Sequence, residues 1–279
     1  MHEAKRSTGA PPPVDKTDWL KTAAIIFVSA GHFGFFFVED DRWWSVFGRF
    51  AAPPFFFLVG YAQSRTVPLY WIWIGIILTL LESWNAEWTW VAPNILLSFV
   101  LIRIARPYVQ QGLENYGWAA CALLVCGFVA AQPIAARLVD YGAEGWLWAF
   151  FGLCQRRFAD NKSPATGSIA AQGPPLPAHA TNVNWGLMRL AACIAAAVVF
   201  VGQEQKEYLF PPLLLAVFIV GLSILCVSLC GFERGPSRIQ PAEPIAGALR
   251  FIGRRTFEIY AIQLAGSELL VKLVPDLAP

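Results

Sequence analysis

Ionisable side chains inside apolar segments are the first candidates for chemistry in this sequence. Such groups are costly in an apolar solvent and usually face a cavity or a partner. His32 lies in Ser29-Ala-Gly-His-Phe-Gly34 and is the one histidine of three within a long apolar segment. An imidazole there suits a general base that removes a proton from an acyl acceptor. A structural histidine bonded to another helix fits the position equally well.

Arg49 is the second candidate, in Gly48-Arg-Phe-Ala-Ala-Pro-Pro-Phe55. Its guanidinium could hold a carbonyl or carboxylate through paired hydrogen bonds, or it could snorkel to lipid headgroups. Arg49 and His32 each lie about six residues from the end of an apolar segment, so both should sit ~9 Å below the same membrane surface. We therefore predict that they share one cavity. Pro53 and Pro54 should kink the Arg49 segment.

Three other polar residues are expected to face the bundle interior or line its cavity: Asn94, Glu258 and Gln263. Asn94 could equally act as a hydrogen-bonding contact between helices. Glu258 could pair with Arg254 or Arg255, one turn earlier on the same helix.

Basic residues cluster where several apolar segments begin or end. They could bind a phosphorylated cytosolic donor such as acetyl-CoA, or they could simply follow the positive-inside rule and contact anionic lipid. The candidate donor-binding residues are Lys21, Arg65, Arg103, Arg106, Arg254 and Arg255.

The elements that must position these residues are membrane helices. Of the 279 residues, 56% are hydrophobic and 14% charged, whereas soluble domains carry about 25% charged residues. A backbone in lipid must satisfy its own hydrogen bonds, so the predicted fold class is an all-α transmembrane bundle. Apolar segments long enough for about nine spans occur at 19–38, 43–64, 68–82, 88–105, 117–136, 141–155, 185–201, 208–231 and 251–273.

A cytoplasmic N-terminus with nine crossings places most of the 21 basic residues on the cytoplasmic side, as the positive-inside rule requires. This arrangement gives four parts. A cytoplasmic tail spans 1–18, with Asp18 as the N-cap of the first helix, and a six-helix membrane part spans 19–157. A Pro- and Gly-rich cytoplasmic linker spans 158–184, and a three-helix membrane part spans 185–279.

Several functional classes have no support in the sequence. The net charge of +2 does not indicate a nucleic-acid partner. The six cysteines lie in apolar runs without zinc spacing, so we interpret them as buried apolar residues and expect no metal. Phosphate-loop, zinc-helix and nucleophile-elbow motifs do not occur.

Two parts of the chain resemble known membrane families. Asp18-Trp-Leu-Lys21, followed by His32 at a spacing of 14, resembles the first helix of acyltransferase family 3. Phe47-Gly-Arg49-Phe-Ala-Ala-Pro-Pro resembles the TraX family, associated with acetylation of the N-terminus of conjugative pilin. Looser matches are Asn94-Ile-Leu-Leu-Ser and Thr256-Phe-Glu-Ile-Tyr-Ala-Ile-Gln263. Gly31 stands where the family often has an acidic residue, and Gln263 where it often has histidine.

The resemblance implies a bacterial inner-membrane acetyltransferase that takes acetyl-CoA as co-substrate, with His32 as base and Arg49 orienting the acceptor or stabilising the oxyanion. The acceptor would be a pilin-like peptide or a glycan. Two alternatives stay open. One is a non-catalytic subunit or assembly factor of a larger membrane complex, and the other is a small transporter in which His32 and Glu258 relay protons.

Overall fold

A computed structural model describes residues 11–38, 42–64, 66–162 and 183–274. This part of the chain is helical, and its only extended pairing is a single bridge between Asp15 and Pro236. Arg65, the first ten residues of the predicted tail and 163–182 of the predicted linker lie outside it. The helices are α1 (Lys16–Phe37), α2 (Arg42–Arg49), α3 (Ala52–Tyr61), α4 (Leu69–Asn85), α5 (Ile95–Leu138), α6 (Gly142–Lys162), α7 (Trp185–Tyr208), α8 (Pro212–Cys230) and α9 (Glu243–Leu273).

The all-α fold class predicted from the sequence is confirmed. Four of the described helices, α1, α5, α7 and α8, are long and apolar enough to cross a membrane. The others are shorter or carry more polar residues, and two of them, α3 and α6, are mostly buried.

The start of α1 differs from the sequence prediction. Asp15 is the N-cap, because its side chain accepts from the Thr17 N–H at 2.7 Å. Asp18 lies one turn inside the helix, and its carboxylate accepts in return from the Asp15 N–H at 3.0 Å. The two aspartates therefore form a reciprocal capping box, which fixes where α1 begins.

The predicted second span, 43–64, is two helices, not one kinked helix. α2 ends at Arg49 and α3 begins at Ala52 with two prolines in its first turn. Pro53 has no N–H to donate to the Arg49 carbonyl, and its ring would clash there. The break is therefore a direct consequence of the sequence, and it leaves Arg49 at a helix end.

α5 is a hairpin of two helical arms that reverse at Gly117. This glycine has φ 55° and ψ −125°, a backbone conformation that other residues rarely adopt. Beyond the hairpin, the Asp140 N–H donates to the Pro93 carbonyl at 3.2 Å, and Trp90 Nε1 donates to the Arg137 carbonyl at 2.8 Å. A straight helix of this length would separate its ends by about 65 Å. The two arms correspond to the segments predicted at 88–105 and 117–136, but the first begins at Ile95, after Asn94 caps it.

α6 has more buried residues than any other helix of the described chain, and nearly every residue from Gly142 to Gln155 is buried. It packs against α3, α5 and α7, and Trp148 and Phe151 lie in the core. The helix continues to Lys162, so 158–162 is helical and does not belong to the predicted linker.

Contacts between helices define two ends of the bundle. At the Lys21 end, Lys21 Nζ donates to the Gly253 carbonyl at 3.0 Å and joins α1 to α9. At the Arg49 end, Arg49 pairs with Glu204 of α7, and Asn85 of α4 donates to Glu268 of α9. The candidate site lies between these two ends of the bundle.

Candidate active site

A cavity of about 430 Å³ lies between α1, α3, α4, the first arm of α5 and α9. It extends from the Lys21 end of the bundle toward the Arg49 end, because its lining includes both Thr17 at the start of α1 and Asp140 after α5. Basic side chains occupy one end, and His32 with acidic and tyrosine side chains lies toward the other.

The Lys21 end of the cavity is cationic. Lys21, Arg103, Arg234 and Arg254 all line it. Arg103 is held in place, because NH1 donates to the Thr66 carbonyl at 2.9 Å. The side chains of Arg234 and Arg254 form no ion pair with any described residue. Four cations that converge at one end of a cavity favour an anionic ligand.

Aromatic side chains form one wall beside these cations. The rings of Trp71 and Phe257 stack with centroids 5.0 Å apart and planes 9° apart. The Arg103 guanidinium lies over the Trp71 ring at 4.2 Å, within range for a cation–π contact. The wall is rigid and apolar, which suits the flat or aliphatic parts of a ligand whose anionic groups meet the arginines.

His32 lies in the part of the cavity nearer the Arg49 end, together with Glu82, Asp140, Tyr141 and Tyr260. Its Nδ1 atom is buried and has no hydrogen-bond partner in the described structure. The ring of Tyr260 lies 5.9 Å from the imidazole ring, centroid to centroid. The imidazole thus forms part of the cavity wall, where it can meet a reacting group.

Glu82 and Tyr260 are joined through Asn94. The Asn94 Nδ2 donates to Glu82 Oε1 at 3.0 Å and to the Tyr260 hydroxyl at 3.4 Å. Asn94 also caps α5, since its side-chain oxygen accepts from the Leu96 N–H at 3.2 Å. Asn94 does not line the cavity, and it lies behind Glu82 and Tyr260, which do. Its hydrogen bonds fit the other interpretation of this residue, a contact between helices.

Arg49 does not line the cavity, in contrast to the expectation that it would share one with His32. Its Nε lies 3.2 Å from Glu204 Oε2, and its guanidinium sits 4.4 Å from the centre of the Tyr208 ring. Arg49 NH1 also donates to the Tyr141 hydroxyl at 3.4 Å. The physical reason is Glu204, a buried carboxylate on α7 with which the guanidinium pairs. Arg49 thus reaches the cavity only through Tyr141.

Asp140 follows α5 and precedes α6, and its side chain is partly buried at the cavity wall. Burial raises the pKa of Asp140 to about 6, against the opposing effect of the Arg49 charge and of hydrogen bonds from the Tyr141 and Ile95 backbones. Those backbone hydrogen bonds occupy the carboxylate at the beginning of α5. Asp140 therefore has a local structural role as well as its place at the cavity wall.

The remaining predicted residues divide into two groups. Lys21, Arg103, Arg254 and Glu258 line the cavity. Four others do not: Arg106 donates to the Gly60 carbonyl at 3.0 Å, Arg255 pairs with Glu258 at 3.1 Å, Asn94 stands behind the wall, and Gln263 accepts from Ser29 at 3.0 Å.

Sequence reasoning missed five residues of the site: Glu82, Asp140, Tyr141, Arg234 and Tyr260. Asp140 and Tyr141 had one available signal, since an acidic residue and a tyrosine directly before Gly142 suggest a tight, functional turn. Tyr141 indeed adopts φ 61°. Tyr260 had one signal, since it lies in the segment Thr256–Gln263 that resembles the TraX family. Arg234 had no signal beyond its charge, because its place depends on helices that are distant in sequence.

The model of the TraX family, described as TraX protein, matches residues 16–227. The chain belongs to the TraX family. The match spans α1 to α8 and includes His32, Arg49, Glu82 and Asp140. No curated protein and no solved structure matches the chain. For this TraX-family protein, the part of the cavity built by α9, with Arg254 and Tyr260, lies beyond the matched segment.

Proposed function

We propose that this TraX-family protein is an integral membrane acyltransferase that moves an acetyl group from acetyl-CoA to an amine or hydroxyl acceptor. One observation carries the proposal: a single cavity holds four cations at one end and His32 toward the other. A phosphorylated donor and a general base thus have separate places along one channel.

The donor occupies the Lys21 end. Its phosphates bind the guanidinium groups of Arg103, Arg234 and Arg254, which match phosphate geometry, and the ammonium of Lys21, which acts as a point charge. The apolar wall of Trp71 and Phe257 accommodates the less polar parts of the donor. The thioester then points along the cavity toward His32.

Acetyl transfer proceeds through His32. The acceptor nitrogen or oxygen attacks the thioester carbonyl carbon, and His32 removes the proton that the acceptor loses. The C–S bond then breaks, and the imidazolium returns the proton to the departing sulfur. The products are the acetylated acceptor and the free thiol of CoA. Two electrons of the C–S bond leave with sulfur, so no oxidant or reductant is needed.

Arg49 acts in this proposal as a positioning residue. Because Arg49 NH1 donates to the Tyr141 oxygen, the phenol proton is free to point toward the cavity. There it can donate to the oxyanion that develops on the thioester carbonyl. This differs from the direct role that the sequence suggested for the guanidinium.

The proposed topology has nine crossings with the N-terminus in the cytoplasm of a bacterial inner membrane. The hairpin at Gly117 makes α5 two crossings, and α2 with α3 makes one. This orientation puts the Lys21 end at the cytosol, where acetyl-CoA is found, and His32 nearer the outer face. The acceptor is then a pilin-like peptide or a glycan that arrives from the membrane or from outside.

The test uses the full chain in lipid nanodiscs with radiolabelled acetyl-CoA. One probe is a short peptide with a free α-amino group, and another is the same peptide with the amine blocked and a serine hydroxyl available. We expect labelled product with one of the probes and at least a hundredfold loss for His32→Ala, on the order of general-base contributions. Undiminished transfer by that variant would overturn the mechanism. Stoichiometric association with a larger membrane complex and no transfer by the wild type would support the subunit alternative.

A further inference from the structure

His32 gains a positive charge when it accepts a proton, and it does so inside the bundle. A buried charge without a partner costs several kcal/mol. The proposed reaction therefore needs a negative group close to the imidazole while the proton resides there. The described structure must supply that group from the residues around the cavity.

The helix that carries His32 cannot supply it from the preceding position. A Cβ atom at Gly31 would lie 2.7 Å from the Cα of Gly48, and this neighbour is backbone, which cannot move aside easily. The close packing of α1 on α2 thus excludes any side chain at residue 31. The negative group must come from another element.

Three carboxylates line the cavity among the described residues: Glu82, Asp140 and Glu258. Glu258 forms an ion pair with Arg255 at 3.1 Å. Asp140 accepts hydrogen bonds from two backbone N–H groups at the beginning of α5 and at Tyr141. Both of these carboxylates are thus already engaged by groups other than His32.

Glu82 differs from both. Its Oε1 accepts one hydrogen bond, from Asn94 Nδ2 at 3.0 Å, and it forms no ion pair with a described residue. The same Asn94 amide donates to the hydroxyl of Tyr260, whose ring lies against His32 at 5.9 Å. Asn94 thereby fixes Glu82 and Tyr260 together on the His32 side of the cavity.

The geometry points to Glu82 as the carboxylate that compensates the charge on His32 during acetyl transfer, with Asn94 as the residue that holds it. This inference rests on the proposed function and adds a positioning residue to it. When the acceptor proton moves to His32, the Glu82 carboxylate stabilises the imidazolium electrostatically. The proton still returns to the departing sulfur, so Glu82 ends the cycle unchanged.

Other charged and titratable groups also face His32, and they determine which control is informative. Arg49 lies on α2, Tyr141 and Asp140 come from the α5–α6 connection, and Tyr260 comes from α9. Arg49 pairs with Glu204 and contacts Tyr141, and it does not itself line the cavity. A matched control for Glu82 is Glu87, an exposed carboxylate in the α4–α5 connection at the same end of the bundle, outside the cavity.

The experiment compares steady-state acetyl transfer by the full chain and its variants in nanodiscs, with the peptide probes named above. For Glu82→Gln we expect a fall in kcat of at least about tenfold, while the KM for acetyl-CoA changes less than about twofold. Glu82→Asp should recover part of the loss, because it keeps the charge. Glu87→Gln should behave as the wild type does. In a His32→Ala background, Glu82→Gln should cause no further loss, because the two residues act as one unit.

The results separate the two proposals. Full kcat for Glu82→Gln, together with loss of transfer in His32→Ala, would overturn the role of Glu82 and leave the proposed function standing. A rise in KM alone, or a further loss in the His32→Ala background, would also overturn it. Absence of transfer by the wild type would overturn the proposed function and this inference with it. Thermal unfolding of each variant shows whether a loss comes from misfolding, and Glu82→Asp, which retains the carboxylate, decides the case if Glu82→Gln fails to fold.

Discussion

Arg49 and Glu204 join α2 to α7 across the Arg49 end of the bundle, with Nε 3.2 Å from Oε2. The Glu204 side chain is only 2% exposed, and Arg49 also donates to the Tyr141 hydroxyl. The pair therefore connects an element near the start of the chain with one 150 residues later, and it fixes a phenol that lines the cavity. Its main effect is on how the bundle is assembled.

Removal of Arg49 alone should destabilise the protein strongly. In Arg49→Ala, Glu204 becomes a buried charge without its partner, which costs on the order of 3–5 kcal/mol. We expect a marked fall in the midpoint of thermal unfolding in detergent, and partial recovery in Arg49→Ala/Glu204→Gln. Glu207→Gln is the control, because Glu207 is largely exposed and 3.7 Å from the guanidinium. An Arg49→Ala variant as stable as the wild type would refute this account.

Gly31 should not tolerate even one additional methyl group. Gly31→Ala brings Cβ within 2.7 Å of the Gly48 backbone, so α1 and α2 must separate, at a cost of about 1–3 kcal/mol. Gly202→Ala on α7 is the matched control, because a Cβ there meets nothing within 4 Å. We expect a lower unfolding midpoint for the first variant and an unchanged or higher one for the second. Equal midpoints for the two would show that the close contact does not matter.

The donor should bind less tightly when the cavity cations are removed. Arg234→Gln and Arg254→Gln each remove a charge that lines the Lys21 end, and we expect each to raise the Kd for acetyl-CoA about five- to fiftyfold, as for the loss of a charge-assisted hydrogen bond. Isothermal titration calorimetry in nanodiscs measures the change, which should shrink at high salt. Arg238→Gln, an exposed residue outside the cavity, should bind normally. An equal loss of acetyl-CoA affinity in all three variants would indicate a nonspecific surface effect.

Asp140 should make the stability of the protein depend on pH. Burial raises its pKa from 3.8 to about 6 in the folded state. Between these two values the folded protein binds a proton that the unfolded chain has lost, so its contribution to stability falls as the pH rises, by at most about 3 kcal/mol. We expect Asp140→Asn to reduce the fall in unfolding midpoint between about pH 4 and pH 6. An unchanged pH profile would show that Asp140 is not the group responsible.

Reporter fusions should place the connections on alternating sides of the membrane. With the N-terminus inside, alkaline phosphatase fused after Ala86 should be active and after Ser64 inactive. Fusions after Tyr116 and Asp140 test the α5 hairpin, because the proposed topology puts them on opposite sides. A fluorescent protein, which matures only in the cytoplasm, should give the reverse pattern at each position. Equal phosphatase activity at Tyr116 and Asp140 would make α5 a single crossing and refute nine.

Much of the local structure could be predicted from the sequence. Apolar runs of membrane length predicted the helices, and the α-helical class is confirmed. Asp15, Pro53 and Asn94 determine where helices begin, through capping and through the missing proline N–H. The position of Asp18 was misjudged because an aspartate three residues earlier competes for the same cap. The break after Arg49 was expected only as a kink, although the two prolines contained the information.

The sequence by itself determined that His32 lies inside an apolar helix and that cations gather near segment ends, because burial cost and charge depend on residue type. Only the tertiary structure decided which of these residues meet. His32 lies against Tyr260 and shares a cavity with Glu82, whereas Arg49 pairs with Glu204. These partners come from helices that are distant along the chain. The packing of the helices determines those partners. The pattern of residues within one segment cannot predict which side chains of another segment it will contact.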